Sequence, residues 1–244
     1  MKAIIITSQR SGSNFLRHCL ESHPEVTCEG EMLIGVAKIP SILEDWRLPA
    51  KIYKYLRGGG LRPVRILEDF IAREDAPVVA FKAMYNHLRN PKVRKFLQQH
   101  TDIRVMHLRR DNLLKQYVSK MLLGKKRERN WQPHSTHKVR AVSTRISPEV
   151  AVKEMRRVQE QFEEFERLLS HHHKIELVYE DMIDGQCLSD EATKAVCGLL
   201  GLETRPMCCD YVKVNPNQLN VMVENYQELC EALRGTPFER FLDE

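Results

Sequence analysis

The chain has 244 residues, 42% of them hydrophobic, with 38 basic and 33 acidic side chains for a net charge of +5. That is enough apolar material for one large core, and no Pro/Gly/Ser-rich linker interrupts it, so a single domain over 1–244 is expected. The charge is too mild and too evenly scattered for a nucleic-acid binder, although it suits an anionic ligand held in one pocket.

Met1-Lys2 leads straight into an apolar β-branched run at 3–7, followed by Ser8-Gln9-Arg10-Ser11-Gly12-Ser13-Asn14-Phe15 and a helical pattern over 13–22. Residues 34–75, which include Arg57-Gly58-Gly59-Gly60, carry no clear period and read as loops. Strand patterns at 78–81 and 104–107 alternate with helices over 91–99 and 112–123. A second loop stretch, 124–147, begins with the basic run Lys125-Lys126-Arg127-Glu128-Arg129.

The strongest helix spans 148–170. Ser147 stands at its N-cap and Pro148 in its first turn, and Val152, Met155, Val158, Phe162, Phe165 and Leu169 fall three and four residues apart. A strand at 175–179 and helices over 189–200 and 219–233 complete the chain. Strands alternating with longer helices give an α/β fold, with a parallel sheet buried between flanking helices.

There is no cleavable leader pattern and no apolar run of 18 residues, which points to a cytoplasmic protein without a membrane span. The seven cysteines (19, 28, 187, 197, 208, 209 and 230) form no CxxC pair, and their odd number fits reduced thiols better than a disulfide framework. No metal site is expected. The run His171-His172-His173 reads as a solvated cap on a charged helix.

The chemistry lies in the segment after the first strand. A strand running into a short loop and then a helix brings backbone N–H groups, small hydroxyls and one cation to a point, which is a site for a phosphate-like anion. Gly12 permits the close turn and Arg10 neutralises charge. A Walker A loop would need GxxxxGK[ST]; this segment has one glycine and no lysine after it, so a kinase is disfavoured. A structural turn capped by Ser13 is the bland alternative.

The run Thr7-Ser8-Gln9-Arg10-Ser11-Gly12-Ser13-Asn14-Phe15-Leu16 resembles the 5'-phosphosulfate loop of sulfotransferases that use 3'-phosphoadenosine-5'-phosphosulfate (PAPS), especially the bacterial carbohydrate sulfotransferases with a QRSGS loop. The resemblance implies a P-loop-like sulfotransferase fold. It also implies that Arg10 contacts the sulfate and that Ser11, Gly12, Ser13 and Asn14 wrap the 5'-phosphate, within a nucleotide-binding loop that runs from Ser8 and Gln9 to Phe15.

The block from Leu108 to Ser119 is similar to the family's 3'-phosphate segment, which implies that Arg110 and Ser119 grip that phosphate, with Arg109 as the alternative to Arg110. The spacing from Arg110 to Ser119 is nine residues, one more than in many members. Weaker matches are Phe81-Lys82, Val178-Tyr179-Glu180-Asp181-Met182 and Lys213-Val214-Asn215-Pro216. From the last, Lys213 and Asn215 are expected to close over the nucleotide. Trp131 is the one candidate for stacking on the adenine.

An acceptor hydroxyl needs a general base. Glu31, in Cys28-Glu29-Gly30-Glu31-Met32-Leu33, is the first choice because the stretch resembles the Gly-Glu segment that carries the catalytic carboxylate in the bacterial carbohydrate enzymes. Glu29 and the imidazole of His87 are the alternatives, and Lys82 would orient the acceptor or stabilise developing charge. The expected activity is sulfuryl transfer from PAPS, leaving adenosine 3',5'-bisphosphate (PAP), to a hydroxyl of a carbohydrate or other small acceptor without a metal. Oligomeric state is not fixed, and a homodimer is compatible with the sequence. The rivals are a nucleotide or small-molecule kinase with a degenerate loop and a non-catalytic nucleotide-binding protein.

Overall fold

The computed structural model describes residues 1–33, 63–128, 143–210 and 218–242. In chain order it runs β1 (Lys2–Thr7), α1 (Ser13–Glu21), β2 (Val26–Glu29), α2 (Pro63–Ile71), β3 (Val78–Met84), α3 (Pro91–Gln99), β4 (Arg104–Arg109), α4 (Leu113–Glu128), α5 (Pro148–Leu168) and β5 (Lys174–Val178). Two short strands follow, β6 (Ile183–Asp184) and β7 (Cys187–Leu188), then α6 (Asp190–Leu200), α7 (Leu219–Met222), α8 (Tyr226–Leu233) and a 3-10 turn at Glu239–Phe241.

The first five strands form one parallel sheet in the order β2-β3-β1-β4-β5. β1 is central because Ala3–Thr7 is apolar on both faces, and all five residues are buried. Ala3 and Ile5 pack with Leu16, Cys19 and Leu20 of α1 and with Val196 and Leu200 of α6. Ile4 and Ile6 face the opposite way, onto Leu67 and Phe70 of α2, Phe96 and Leu97 of α3, and Phe165 of α5. A third cluster joins α4, the start of α5, α7, α8 and the C-terminal turn. The α/β layered fold expected from the alternation is the one observed.

Several local expectations are corrected. β2 has only four residues, too few to show a period, yet it pairs with β3 from Val26↔Val78 to Glu29↔Phe81. The helix expected over 219–233 is two helices, because Val223 turns extended to pair with Thr144, whose N–H bonds Met222 O at 2.9 Å and whose carbonyl accepts Glu224 N–H at 3.0 Å. Residues 63–71, read as loop, are helical, and α4 continues to Glu128.

His172 is not a solvated cap: it is buried, and its Nδ1 lies 3.0 Å from Ile103 O, while His171 and His173 are exposed. Nor are all the cysteines reduced. Cys187 and Cys208 form a disulfide, brought together because the chain at Met207–Cys209 runs antiparallel beside β7. Lys213, Asn215, Trp131 and Arg57–Gly60 lie outside the described residues. No helix among the described residues is long and apolar enough to cross a membrane.

Candidate active site

The loop at 8–12 leaves the C-terminal end of β1, where Thr7 is in register with Met84 of β3 and Leu108 of β4. Its base is tied down on both sides: Thr7 Oγ1 donates to Leu108 O at 2.6 Å, and Tyr85 N–H donates to Thr7 O at 2.9 Å. Ser11 is fully buried and its hydroxyl turns inward, donating to Ser8 O at 2.9 Å and touching the Thr7 hydroxyl. Ser11 therefore shapes the loop from within.

Two residues of this loop take positive φ, Arg10 at 66° and Gly12 at 86°. For arginine this costs about 1–2 kcal/mol, so the surrounding contacts must hold it there. They come from α4: the buried Gln116 donates from Nε2 to Ser8 Oγ and to Gln9 O, both at 2.6 Å, and Arg10 Nε donates to Ser119 Oγ at 3.0 Å. Gln116 and Ser119 are three residues apart and so share one helix face.

Gly12 is the N-cap of α1, and the first intrahelical bond is Leu16 N–H to Gly12 O at 3.1 Å. Helix geometry turns the N–H groups of the first turn of α1 toward the loop. Gly12 admits no side chain: a Cβ there would stand 2.1 Å from Tyr179 Cδ2. Gly12→Ala is accordingly expected to destabilise the fold by about 1–3 kcal/mol and to lower PAP affinity at least about tenfold, because overlap and strain act at one position. Thermal melting with and without PAP checks both, and a variant matching the parent in both refutes this account of the turn.

The arginine pair after β4 divides. Arg109 is bound to Asp111 at 2.7 Å and to Glu176, and lies over the Phe162 ring. Arg110 instead sits with its guanidinium 4.8 Å from the centroid of Tyr179, the ring that covers Gly12. Its Nε is buried and makes no well-formed hydrogen bond among the described residues, although it is ion-paired with Glu180 Oε1 at 3.4 Å. Glu180 is itself held by the N–H groups of Asp111 at 2.8 Å and Asn112 at 3.3 Å. A buried guanidinium N–H that is charge-paired but not hydrogen-bonded leaves a donor that an anion at the loop could take in competition with Glu180.

On the other flank, Lys82 N–H bonds Gly30 O at 3.2 Å, which draws the turn after β2 against β3 and sets Glu31 beside Lys82. Glu31 Oε1 is 3.4 Å from Lys82 Nζ, and Asn14 Oδ1 of α1 accepts from the same ammonium. Lys82 is 5% exposed and Glu31 30%, so the carboxylate opens toward solvent while its cation is enclosed. Burial pushes the Lys82 ammonium below its ordinary value, opposed by Glu31.

His87 stands on the far side of Glu31, with Nε2 3.9 Å from Oε2. Its Nδ1 accepts Met84 N–H at 3.1 Å, so the neutral ring carries its proton on Nε2. Neither nitrogen is then available as a base. Glu29 is drawn away to Arg73 at 2.9 Å. Of the three candidates, Glu31 alone combines an open carboxylate with a neighbouring lysine.

Burial, and then Lys82, lower the His87 pKa to about 4 from an ordinary 6.5. Between those values the unfolded chain binds the proton and the folded one does not, so this group withdraws stability as pH falls from 6.5 to about 4. The loss is at most about 3 kcal/mol. His87→Asn, which keeps an acceptor for Met84 N–H, should flatten that part of the stability profile in denaturant titrations; an unchanged slope would mean that His87 charges freely in the folded protein.

Behind the loop lies a cavity of about 210 Å³. Its walls come from Ser8 and Gln9, from Met84–Asn86 after β3, from Leu113, Gln116, Tyr117 and Lys120 of α4, and from α5 between Glu154 and Gln161. Glu154 is bridged to Lys120 at 2.7 Å and to Arg157 at 2.9 Å.

This sheet order, with an anion loop after the central strand, can be compared with solved structures. The chain superposes on a sulfotransferase from Alicyclobacillus acidocaldarius with a TM-score of 0.56 and 12% identity, covering 100% of this chain and 96% of that one. The fold is that of a sulfotransferase. The sulfotransferase domain of the Synechococcus PCC 7002 olefin synthase matches at a TM-score of 0.47 and 16% identity, over 84% of this chain and 74% of that one. No family model and no curated protein matches the sequence.

On this sulfotransferase fold, the expected loop residues from Ser8 to Phe15 lie together at one strand end, with Ser119 joined to Arg10 and Arg110 beside Tyr179. Glu31 and Lys82 meet on the opposite flank. Gln116 is the functional residue that sequence does not single out. Its one signal is its position three residues before Ser119 on an amphipathic helix, which does not distinguish a loop clamp from a surface amide.

Proposed function

We propose that the chain transfers the sulfuryl group of PAPS to a hydroxyl of a carbohydrate or other small acceptor by in-line displacement, within a single domain over 1–244. The observation that carries this reading is the loop: two left-handed residues and the start of α1 aim backbone N–H groups at one point, flanked by Arg10 and by the buried Nε of Arg110.

In this reading the N–H groups of Ser13 and Asn14 hold the 5'-phosphate, Arg10 neutralises the sulfate and its bridging oxygen, and Arg110 and Ser119 bind the 3'-phosphate. Lys213 and Asn215 close over the nucleotide. Sulfuryl transfer spreads charge over peripheral oxygens, so fixed donors do most of the catalysis. Glu31 takes the proton of the attacking hydroxyl, Lys82 orients that carboxylate, and the Nε2–H of His87 faces its second oxygen.

The cavity behind the loop is lined by neither Glu31 nor Lys82, so the reacting hydroxyl does not meet its base there, and the cavity is assigned only to a part of the acceptor remote from that hydroxyl. At about 210 Å³ it is smaller than the roughly 300–1,000 Å³ of sites for drug-sized molecules, and so it suits a single ring. Amides of Gln9 and Asn86 on its wall offer paired donors and acceptors, as neighbouring hydroxyls of a sugar require, while Gln116 is committed to the loop.

The test is calorimetry with PAP in the presence and absence of a chelator, together with transfer of labelled sulfate from PAPS to a panel of sugars and phenols. PAP is expected to bind at micromolar affinity or better without divalent metal, since arginines and N–H groups balance both phosphates. Strict magnesium dependence with a preference for ATP would move the assignment to a kinase, and PAP binding without transfer to any acceptor would favour a non-catalytic nucleotide-binding protein.

A further inference from the structure

Four of the seven cysteines gather at the C-terminal end of α1, away from the loop. Cys187 and Cys208 are the disulfide already described, and Cys209 is the next residue. Its Sγ lies 3.6 Å from the Sγ of Cys19, on α1. Cys19 is buried and Cys209 half-buried.

The backbones that carry these two thiols are anchored to each other. Leu188 N–H bonds Met207 O and Cys209 N–H bonds Gln186 O, both at 2.9 Å, which fixes the strand-like run at 207–209. Ser22 Oγ accepts Cys208 N–H at 3.2 Å and donates to Cys19 O at 2.7 Å, which pins the end of α1 to the same run. A disulfide needs a sulfur separation of about 2.05 Å, so the pair must close by roughly 1.5 Å.

We propose that Cys209 and Cys19 form a thiol-exchange site for low-molecular-weight disulfides, closing to a second disulfide beside Cys187–Cys208. The more exposed Cys209 enters first. Its thiolate attacks one sulfur of a small disulfide RSSR, forming a mixed disulfide and releasing RS⁻, which takes up a proton. Cys19, which touches Cys209, then gives up its proton and attacks Cys209 Sγ, releasing the second RSH. Two protein thiols are oxidised and one RSSR is reduced to two RSH.

Burial raises the Cys19 pKa well above its ordinary value, which makes it a poor entry point and leaves it the resolving role. The second bond would staple α1, whose other end begins at Gly12, to the run at 207–210. It would add a covalent tie where one buried contact now stands.

The test equilibrates the full chain in glutathione buffers of rising oxidised fraction, blocks remaining thiols with N-ethylmaleimide, and maps linked peptides by mass spectrometry. The expected result is a peptide joining residues 19 and 209, with free thiols falling from five to three, reversed by reduced glutathione. Cys209→Ser should abolish the link. Cys19→Ser, or Cys19→Ala where serine is not tolerated, should instead leave a persistent glutathione adduct on Cys209. The parent's thermal midpoint should rise on oxidation, and that of Cys209→Ser should not.

Three results would overturn the proposal: an adduct that stays on Cys209 of the parent, a link from Cys209 to Cys187 or Cys208, or five thiols that remain free under oxidising buffer. None of these readouts uses PAP, so the outcome is independent of the assigned catalytic activity.

Discussion

Replacing Glu31 by Gln is expected to lower turnover about 100-fold or more while PAP affinity hardly changes. Gln keeps the size of the side chain and can still accept from Lys82 Nζ, 3.4 Å from Oε1 in the parent, but it cannot take a proton from an attacking hydroxyl. Glu31 lies on the flank of the loop opposite Arg110, so the nucleotide's 3'-phosphate should not sense the change. Glu29→Gln is the control and should be mild, because that carboxylate serves Arg73. The comparison needs saturating PAPS and a verified acceptor. A carboxylate that only binds acceptor hydroxyls would instead raise the Michaelis constant and leave turnover intact. Near-normal turnover in that variant, beside a collapse in Glu29→Gln or His87→Ala, would transfer the role.

The choice among Glu29, Glu31 and His87 shows how far sequence can reach. Two glutamates one glycine apart on a strand end differ on paper only by a family resemblance that ranks Glu31 before Glu29. They separate physically when Lys82 N–H takes the Gly30 carbonyl, which turns Glu31 toward Lys82 and leaves Glu29 to Arg73, 44 positions later in the chain. His87 is an ordinary candidate base until Met84 N–H is seen to occupy its Nδ1.

The anion loop is legible because its signal is local. A run of four apolar residues that must be a buried strand, one glycine at the turn and a helix pattern directly after it specify the place where N–H groups converge. The glycine's necessity is legible only in part. Its positive φ follows from the turn, whereas the Tyr179 ring, which would stand 2.1 Å from any Cβ at position 12, arrives from the end of β5, at the far edge of the sheet. β2 escapes sequence reading because four residues carry no period, and the disulfide because Cys187 and Cys208 meet through a pairing that neither stretch announces alone. His172 escapes for a similar reason. One histidine of three turns inward to a carbonyl supplied by residue 103, and composition cannot say which.

Arg10→Ala should cost about 3 kcal/mol of transition-state stabilisation, read as a fall in turnover of roughly 100- to 1000-fold, and should weaken PAP binding far less. Alanine carries the same Cβ into the same left-handed conformation at φ 66°, so the intrinsic backbone strain is unchanged; the guanidinium and its bond to Ser119 are removed, while Gln116 still holds Ser8 and Gln9. PAP has lost the sulfate that Arg10 is assigned to neutralise, which is why its affinity should survive. Arg110→Ala should show the opposite balance. The buried Nε beside Tyr179 is assigned to a phosphate present in both PAPS and PAP, so its loss should lower PAP affinity by about 1.5–3 kcal/mol, the scale of a hydrogen bond to a charged group. Turnover at saturating PAPS should then stay within a few-fold of the parent. Arg109→Ala, which frees Asp111 and Glu176 on the outer side, should affect neither strongly. If Arg10→Ala and Arg110→Ala lose PAP affinity equally and keep the same saturated turnover, the two arginines serve one binding function and the division drawn between them fails.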